Sequence, residues 1–99
     1  MAYQIVWTKK AIDGFAMIVS YINENWTENE IEKFWKECDQ FFKLLSNYPA
    51  LLAGSYKKKN IHRGPINRHT MVTYQVRRAR KVIVLINIRA SKQAPENFD

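Results

Sequence analysis

The sequence predicts an α+β fold in which a short N-terminal strand precedes a two-helix hairpin packed on an antiparallel sheet, in the order β-α-α-β-β-β. Three observations carry this. Apolar residues recur at helical spacing through the first half of the chain and alternate through the second. A T-x-x-E capping box divides the helical half, and residues 61–88 hold β-branched runs broken by turn residues. With 99 residues, 46% of them hydrophobic, the chain has the apolar mass for one core and is read as a single domain over residues 1–99.

Tyr3 to Trp7 (YQIVW) is β-branched and aromatic, which predicts a strand, and Thr8 is placed to cap a helix beginning at Lys9. Ala11, Phe15, Ile18, Val19, Ile22 and Trp26 then fall on one helical stripe. In Thr27-Glu28-Asn29-Glu30 the threonine oxygen and the second glutamate satisfy each other's free backbone donors, so a second helix starts there. Its predicted stripe is Ile31, Phe34, Trp35, Cys38, Phe42 and Leu45, and it stops before Asn47-Tyr48-Pro49. Ile61 to Arg63, Thr70 to Val76 and Val82 to Ile88 read as strands, with Gly64-Pro65 separating the first two and Arg77, Arg78, Ala79 and Arg80 forming the tip between the others. Alternation in the last strand gives Val82, Val84, Ile86 and Ile88 one wholly apolar face. Ile83, Leu85, Asn87 and Arg89 form a face that turns polar toward its end.

Charge is distributed unevenly. Residues 1–54 hold five Lys against seven Asp or Glu, net −2, while residues 55–99 hold eleven Lys or Arg against Glu96 and Asp99, net +9. All six arginines lie between positions 63 and 89. A helical hairpin covers one sheet face, so the other face, with Arg63, Arg68 or His69, and Arg89 near its margins, becomes a basic surface that draws polyanions: nucleic acid, a phosphate-bearing complex or an acidic protein segment. The single Cys38 excludes an intramolecular disulfide and reads as a small core residue. Two histidines seven residues apart, with Cys38 distant, do not make a metal site, and neither a metal nor another cofactor is expected. No apolar run reaches membrane-spanning length, and the N-terminus MAYQIVWTKK lacks the apolar stretch of a secretory signal, so a cytoplasmic protein with no membrane partner is expected.

The residues along this order resemble the ParE/RelE toxins of bacterial type II toxin–antitoxin systems, the plasmid stabilisation proteins. IVWTKKAIDGFAMIVSYINENW is similar to the family's opening strand and first helix, through Trp7, Thr8, Ala11, Ile18, Tyr21, Ile22 and Trp26. FWKECDQFFKLLSNYPAL resembles its second helix, with Phe34 inside and Pro49 after it. IHRGPINRHTMVTYQV resembles the strand that carries the family's arginine, and VIVLINIRASKQAPENF its last strand with the arginine and proline that follow.

The resemblance implies a toxin neutralised by a separately encoded acidic antitoxin, with a homodimer left open, and it implies one of two activities. RelE-like members cut mRNA on the ribosome, whereas ParE-like members poison DNA gyrase and are not nucleases. Metal-free RNA cleavage needs a base, an acid and fixed cations. Arg63 and Arg89 match the family's two arginines as phosphate clamps, or serve only a sheet edge or an ion pair with Glu96 or Asp99. The segment from Ala90 to Asp99 lacks the Tyr or His-Tyr usual in ribosome-dependent members, its only aromatic being Phe98. For a nuclease, His62 and Lys58 are then the foremost catalytic candidates, with His69 and Tyr74 behind them. Lys57 and Lys59 join Arg63, Arg68 and Arg89 as contacts to target phosphates or to the antitoxin. The polar RASKQAPENF tail resembles the ParE branch, so gyrase inhibition is favoured over the mRNA endoribonuclease, and an inactive binding protein is the third reading.

Overall fold

Thr8 is where the first strand becomes the first helix, and it also fixes that helix to the sheet. In the computed structural model, which describes residues 2–91, the elements are β1 (Gln4–Trp7), α1 (Lys9–Asn25), α2 (Glu28–Asn47), β2 (Ile61–Asn67), β3 (Thr70–Arg77) and β4 (Val82–Ala90). The Thr8 hydroxyl accepts from Ala11 N as an N-cap and donates to Leu85 O at 2.7 Å, tying the start of α1 to β4. Thr27 caps α2 with the full reciprocal box to Glu30.

The sheet order is β1-β4-β3-β2. β2, β3 and β4 are antiparallel neighbours as expected, but β1 pairs parallel with β4, Gln4 opposite Val82 through Trp7 opposite Leu85. A parallel pair needs a long crossover, and the helical hairpin lies within the one this chain supplies. α1 lies so close to β4 that a Cβ on Gly14 would sit 1.9 Å from the Ile88 carbonyl oxygen. Only glycine permits that approach.

Three expectations about pattern are corrected. Gly64-Pro65 does not end a strand: β2 runs through both, and the chain turns at Arg68-His69. β2 is the edge strand of the sheet, where proline's missing N–H is tolerated. Strict alternation along β4 also fails. Thr73 pairs with Asn87 but Tyr74 with Leu85, so Ile86 is an extra residue in a bulge and the phase shifts behind it. The core face is therefore Ile83, Leu85 and Ile88, while Val82 and Val84 lie on the opposite, partly exposed face. On α2 the buried stripe is Phe34, Cys38, Phe41 and Leu45; Trp35 is 46% exposed. Phe41 completes an i, i+4, i+7, i+11 seam that the choice of Phe42 interrupts.

The core lies between the helices and one face of the sheet, where Ile18, Ile22, Phe34 and Leu45 meet Val72, Tyr74, Val76, Ile83 and Leu85. Trp7 packs edge-on to Phe15 and tilted against Phe42, both at 5.4 Å between ring centres, closing the β1 side. The β2 edge is partly covered: Arg63 N donates to Ala53 O and Ser55 N to Ile61 O, laying residues 53–55 along it.

Candidate functional site

The helices cover one face of the sheet, and the other face takes its character from register. Directly opposed residues share a face. Arg63 pairs with Thr73, which pairs with Asn87; Pro65 pairs with Met71, which pairs with Arg89. All six therefore stand on the face away from the helices, with Arg63 exposed and Arg89 partly buried. Two strand spacings and a two-residue offset separate the arginine backbones by about 12 Å. Arg68 is exposed at the tip of the β2–β3 hairpin. That tip is tied to the end of β4, because Ser91 Oγ donates to Arg68 O at 2.7 Å and Ser91 N to His69 O. Arg63, Arg68 and Arg89 thus occupy one face and one end of the sheet, and no carboxylate pairs with them among the described residues. Between Asp39 and Glu96 the chain contains no carboxylate at all. Pro95, Glu96, Phe98 and Asp99 lie outside the described residues.

The remaining candidates are placed elsewhere. His62, although adjacent to Arg63 in sequence, points to the helix side and is 9% exposed. Its Nδ1 lies 2.8 Å from Leu52 O; a carbonyl can only accept, so Nδ1 carries the proton. The ring stacks on Tyr74 at 5.1 Å with a 9° interplanar angle. Tyr74 is fully buried, and its hydroxyl donates to Pro49 O and accepts from Leu52 N, while burial pushes its pKa up. These two side chains hold residues 49–52 against the sheet. His69 packs edge-on to Trp26 at 4.6 Å. Lys57, Lys58 and Lys59 are exposed on the loop before β2. Asn60, next to them, accepts from Val76 N, so this loop lies about 17 Å along β3 from the level of Arg89. The structure therefore gathers the three arginines and separates them from His62 and from the lysines.

Cys38 is 3% exposed, and its thiol is pushed up to about 12, first by burial and then by the Glu37 carboxylate. A thiol so buried and so far from ionising is a poor nucleophile at neutral pH. Among the described residues, no three His, Cys, Asp or Glu side chains come together as a metal site, and no helix is long and apolar enough to cross a membrane.

Sequence reading did not anticipate one further feature. β1 ends opposite Leu85, so β4 from Asn87 to Ala90 has a strand edge without a β1 partner, and α1 runs beside it. Between them lies a groove of about 830 Å³, lined by Met17, Tyr21, Trp26, Asn87, Arg89 and their neighbours. Met17 and Tyr21 are 69% and 61% exposed. Gly14, inside an otherwise well-patterned helix, is the sequence signal for the close α1–β4 approach that shapes this groove.

Comparison with known proteins bears on the fold and the family. The model of the ParE toxin of the type II toxin–antitoxin system parDE matches residues 5–95. Among solved structures, an arginine double mutant of the E. coli toxin RelE in the free state aligns with a TM-score of 0.60 and 14% identity over 95% of this chain and 88% of that one. The toxin–antitoxin complex RelBE2 from Mycobacterium tuberculosis aligns at 0.59 and 10% identity, covering 91% and 92%. The isolated E. coli RelE toxin aligns at 0.59 and 13% identity, covering 92% and 86%. No curated protein matches.

Proposed function

The chain belongs to the ParE toxin family of type II toxin–antitoxin systems, and from that premise we propose that it inhibits DNA gyrase, with Arg63, Arg68 and Arg89 as its contact surface. The observation that carries this reading is the position of His62. RNA cleavage needs a group that moves a proton beside the cations that hold the phosphate. Here the strand histidine next to Arg63 is on the opposite side of the sheet, its Nδ1 proton committed to Leu52 O. Around the arginines the open face offers Thr73, Asn87, Met71 and Pro65, none of which titrates near neutrality. Such a surface can bind and orient an anionic partner, and the open face itself offers no acid–base pair among the described residues. The histidine beside Arg68, His69, packs edge-on to Trp26 and lines the groove beside α1 with Arg89.

A cognate antitoxin fits the same region. Arg89 adjoins the groove beside α1, so an antitoxin segment with acidic residues toward the arginines and aliphatic residues in the groove would cover both. That one of the similar structures is a toxin–antitoxin complex supports this. The protein is then a binding toxin whose target surface and antitoxin surface overlap, which is how neutralisation would work.

The test is direct. Added to gyrase and plasmid DNA, purified protein should make cleaved DNA accumulate. Added to translating ribosomes, it should leave mRNA intact, with or without a chelator. Codon-positioned mRNA cuts that disappear in Lys58→Ala would establish the RelE-type endoribonuclease instead. Unimpaired growth on expression of soluble, folded protein would leave only the inactive binding protein.

A further inference from the structure

A second basic surface lies at the other end of the sheet, and it is built from two segments far apart in sequence. The loop carrying Lys57, Lys58 and Lys59 leads into β2, and the tip carrying Arg77, Arg78 and Arg80 joins β3 to β4. The bond from Val76 N to Asn60 O places Lys59 and Arg77 one residue to either side of the same contact. Six cations therefore surround one sheet end, all exposed. Their nearest carboxylates in sequence are Asp39 and Glu96. Along β3 this end is about 20 Å from Met71, the rung that carries Arg89.

The lysine loop is ordered by its own backbone. Ser55 N donates to Ile61 O, which closes the loop, and Ser55 Oγ accepts from both Lys57 N and Lys58 N. Asn60 adopts φ 66°, a left-handed geometry that asparagine tolerates better than most residues. At the head of the loop Tyr56 is fully exposed, with relative accessibility of 108%. A tyrosine ring so exposed does nothing for the core among the described residues, and beside three lysines on a loop whose backbone is held it offers a flat π surface flanked by positive charge.

We infer that this end of the sheet binds single-stranded nucleic acid, the cations following the phosphate backbone and Tyr56 stacking on an unpaired base. The charge alone fits any polyanion. The exposed ring favours the single strand, because bases in a duplex are stacked on each other whereas every unpaired base presents a π face to meet it. The inference stands apart from the proposed gyrase reading, since it uses none of Arg63, Arg68 or Arg89.

The experiment measures fluorescence polarisation of a labelled single-stranded DNA of about 12 nucleotides, a length within reach of one small binding surface. DNA lacks the 2′-hydroxyl, so cleavage cannot confound the signal. The same DNA as a duplex, and polyglutamate of equal charge, are the competitors. The wild-type protein should bind the single strand more tightly than either. Tyr56→Ala should weaken binding about 5- to 100-fold while leaving the salt dependence unchanged. The triple variant Arg77→Gln, Arg78→Gln, Arg80→Gln should lower the slope of log K against log salt by about 2. Arg63→Ala with Arg89→Ala should leave both affinity and slope in place. Equal competition by the duplex or by polyglutamate, an unaffected Tyr56→Ala, or a loss in the Arg63 and Arg89 variant as large as in the triple variant would each overturn the inference.

Discussion

On the helix side of the sheet, His62 and Tyr74 stack and each bonds the backbone of the segment leading from α2; on the other side, one residue along β2, Arg63 is exposed and meets no carboxylate among the described residues. Both faces carry polar side chains. The helix-side groups are satisfied within the chain and so act on stability. The open-face cations meet no carboxylate among the described residues, which leaves their interaction energy for a partner. The two faces should consequently respond to mutation in opposite ways, and each substitution below tests that division.

The largest effect is expected at Gly14. A methyl group there would overlap the Ile88 carbonyl, backbone against backbone, with no side chain able to move aside. Gly14→Ala should raise helix propensity and still cost about 3 kcal/mol, because α1 must lift from β4. Urea unfolding measures it, and an unchanged midpoint would mean that α1 does not sit against β4 as described. Next comes Tyr74→Phe, which keeps the ring but leaves Leu52 N without its acceptor and Pro49 O without its donor. The expected loss is about 1–3 kcal/mol in the same assay.

The cysteine adds a pH dependence. The Cys38 pKa is raised from 9.0 to about 12 in the folded protein, so the folded state keeps its proton where the unfolded chain has lost it. Its contribution is complete below about pH 9 and declines as pH rises toward 12, by up to about 1.4 kcal/mol per pH unit. Tyr74, also raised, adds loss in the same direction at higher pH. Cys38→Ala should cost some stability at pH 7 yet flatten the decline between pH 9 and 10, as read from unfolding curves across that range. An identical slope would show that the thiol is not buried.

How much of this was legible in the sequence depended on range. The caps at Thr8 and Thr27, both helices and the apolar stripe of α1 follow from neighbours within four residues, and the sequence displays them. The second bond of Thr8, to Leu85 O, links residues 77 apart and has no local trace. Pro65 reads as a strand end from its neighbours alone, because whether a strand lies at the edge is a property of the whole sheet. The bulge at Ile86 defeated alternation, since an unbroken run from Val82 to Ile88 gives no sign of where a residue drops out of register. For the site, period-2 reasoning puts Arg63, Arg68 or His69, and Arg89 at the margins of one face. Arg63 and Arg89 do share the open face, because the bulge that turns Ile83 and Leu85 inward leaves Arg89 outward. His62 and Lys58 are candidates by residue type alone, and strand alternation and loop direction place them away from the arginines.

A smaller effect is expected at Thr70. It is fully buried on the helix side, and its hydroxyl is the one buried side-chain polar atom among the described residues with no hydrogen-bond partner. Thr70→Val replaces that oxygen with a methyl of similar size and should stabilise by about 1 kcal/mol. A loss of comparable size would mean that the hydroxyl does have a partner, a bound water being the simplest. It would also mean that the helix side is satisfied more completely than its protein contacts alone indicate.

The smallest effect on folding belongs to the open face, and there the division between the two faces is tested most severely. Arg63→Ala and Arg89→Ala remove side chains that form no ion pair among the described residues, so each should shift unfolding by no more than about 0.5 kcal/mol. The same substitutions should act strongly on partners. Expression of the chain alone should arrest growth, and since a desolvated arginine contact is typically worth about 2–4 kcal/mol, Arg89→Ala should relieve that arrest. With Arg68→Ala added, the antitoxin should associate more slowly, and its on-rate should lose much of its decline as salt rises past about 0.15 M, where the screening length is near 8 Å. The wild-type complex should persist at that salt, because the aliphatic contacts proposed for the α1–β4 groove would not be screened. If the arginine variants unfold several kcal/mol more easily, these side chains serve the fold. If instead they fold normally, arrest growth fully and bind antitoxin with the wild-type salt slope, the open face is a solvated surface and the toxin acts through another one.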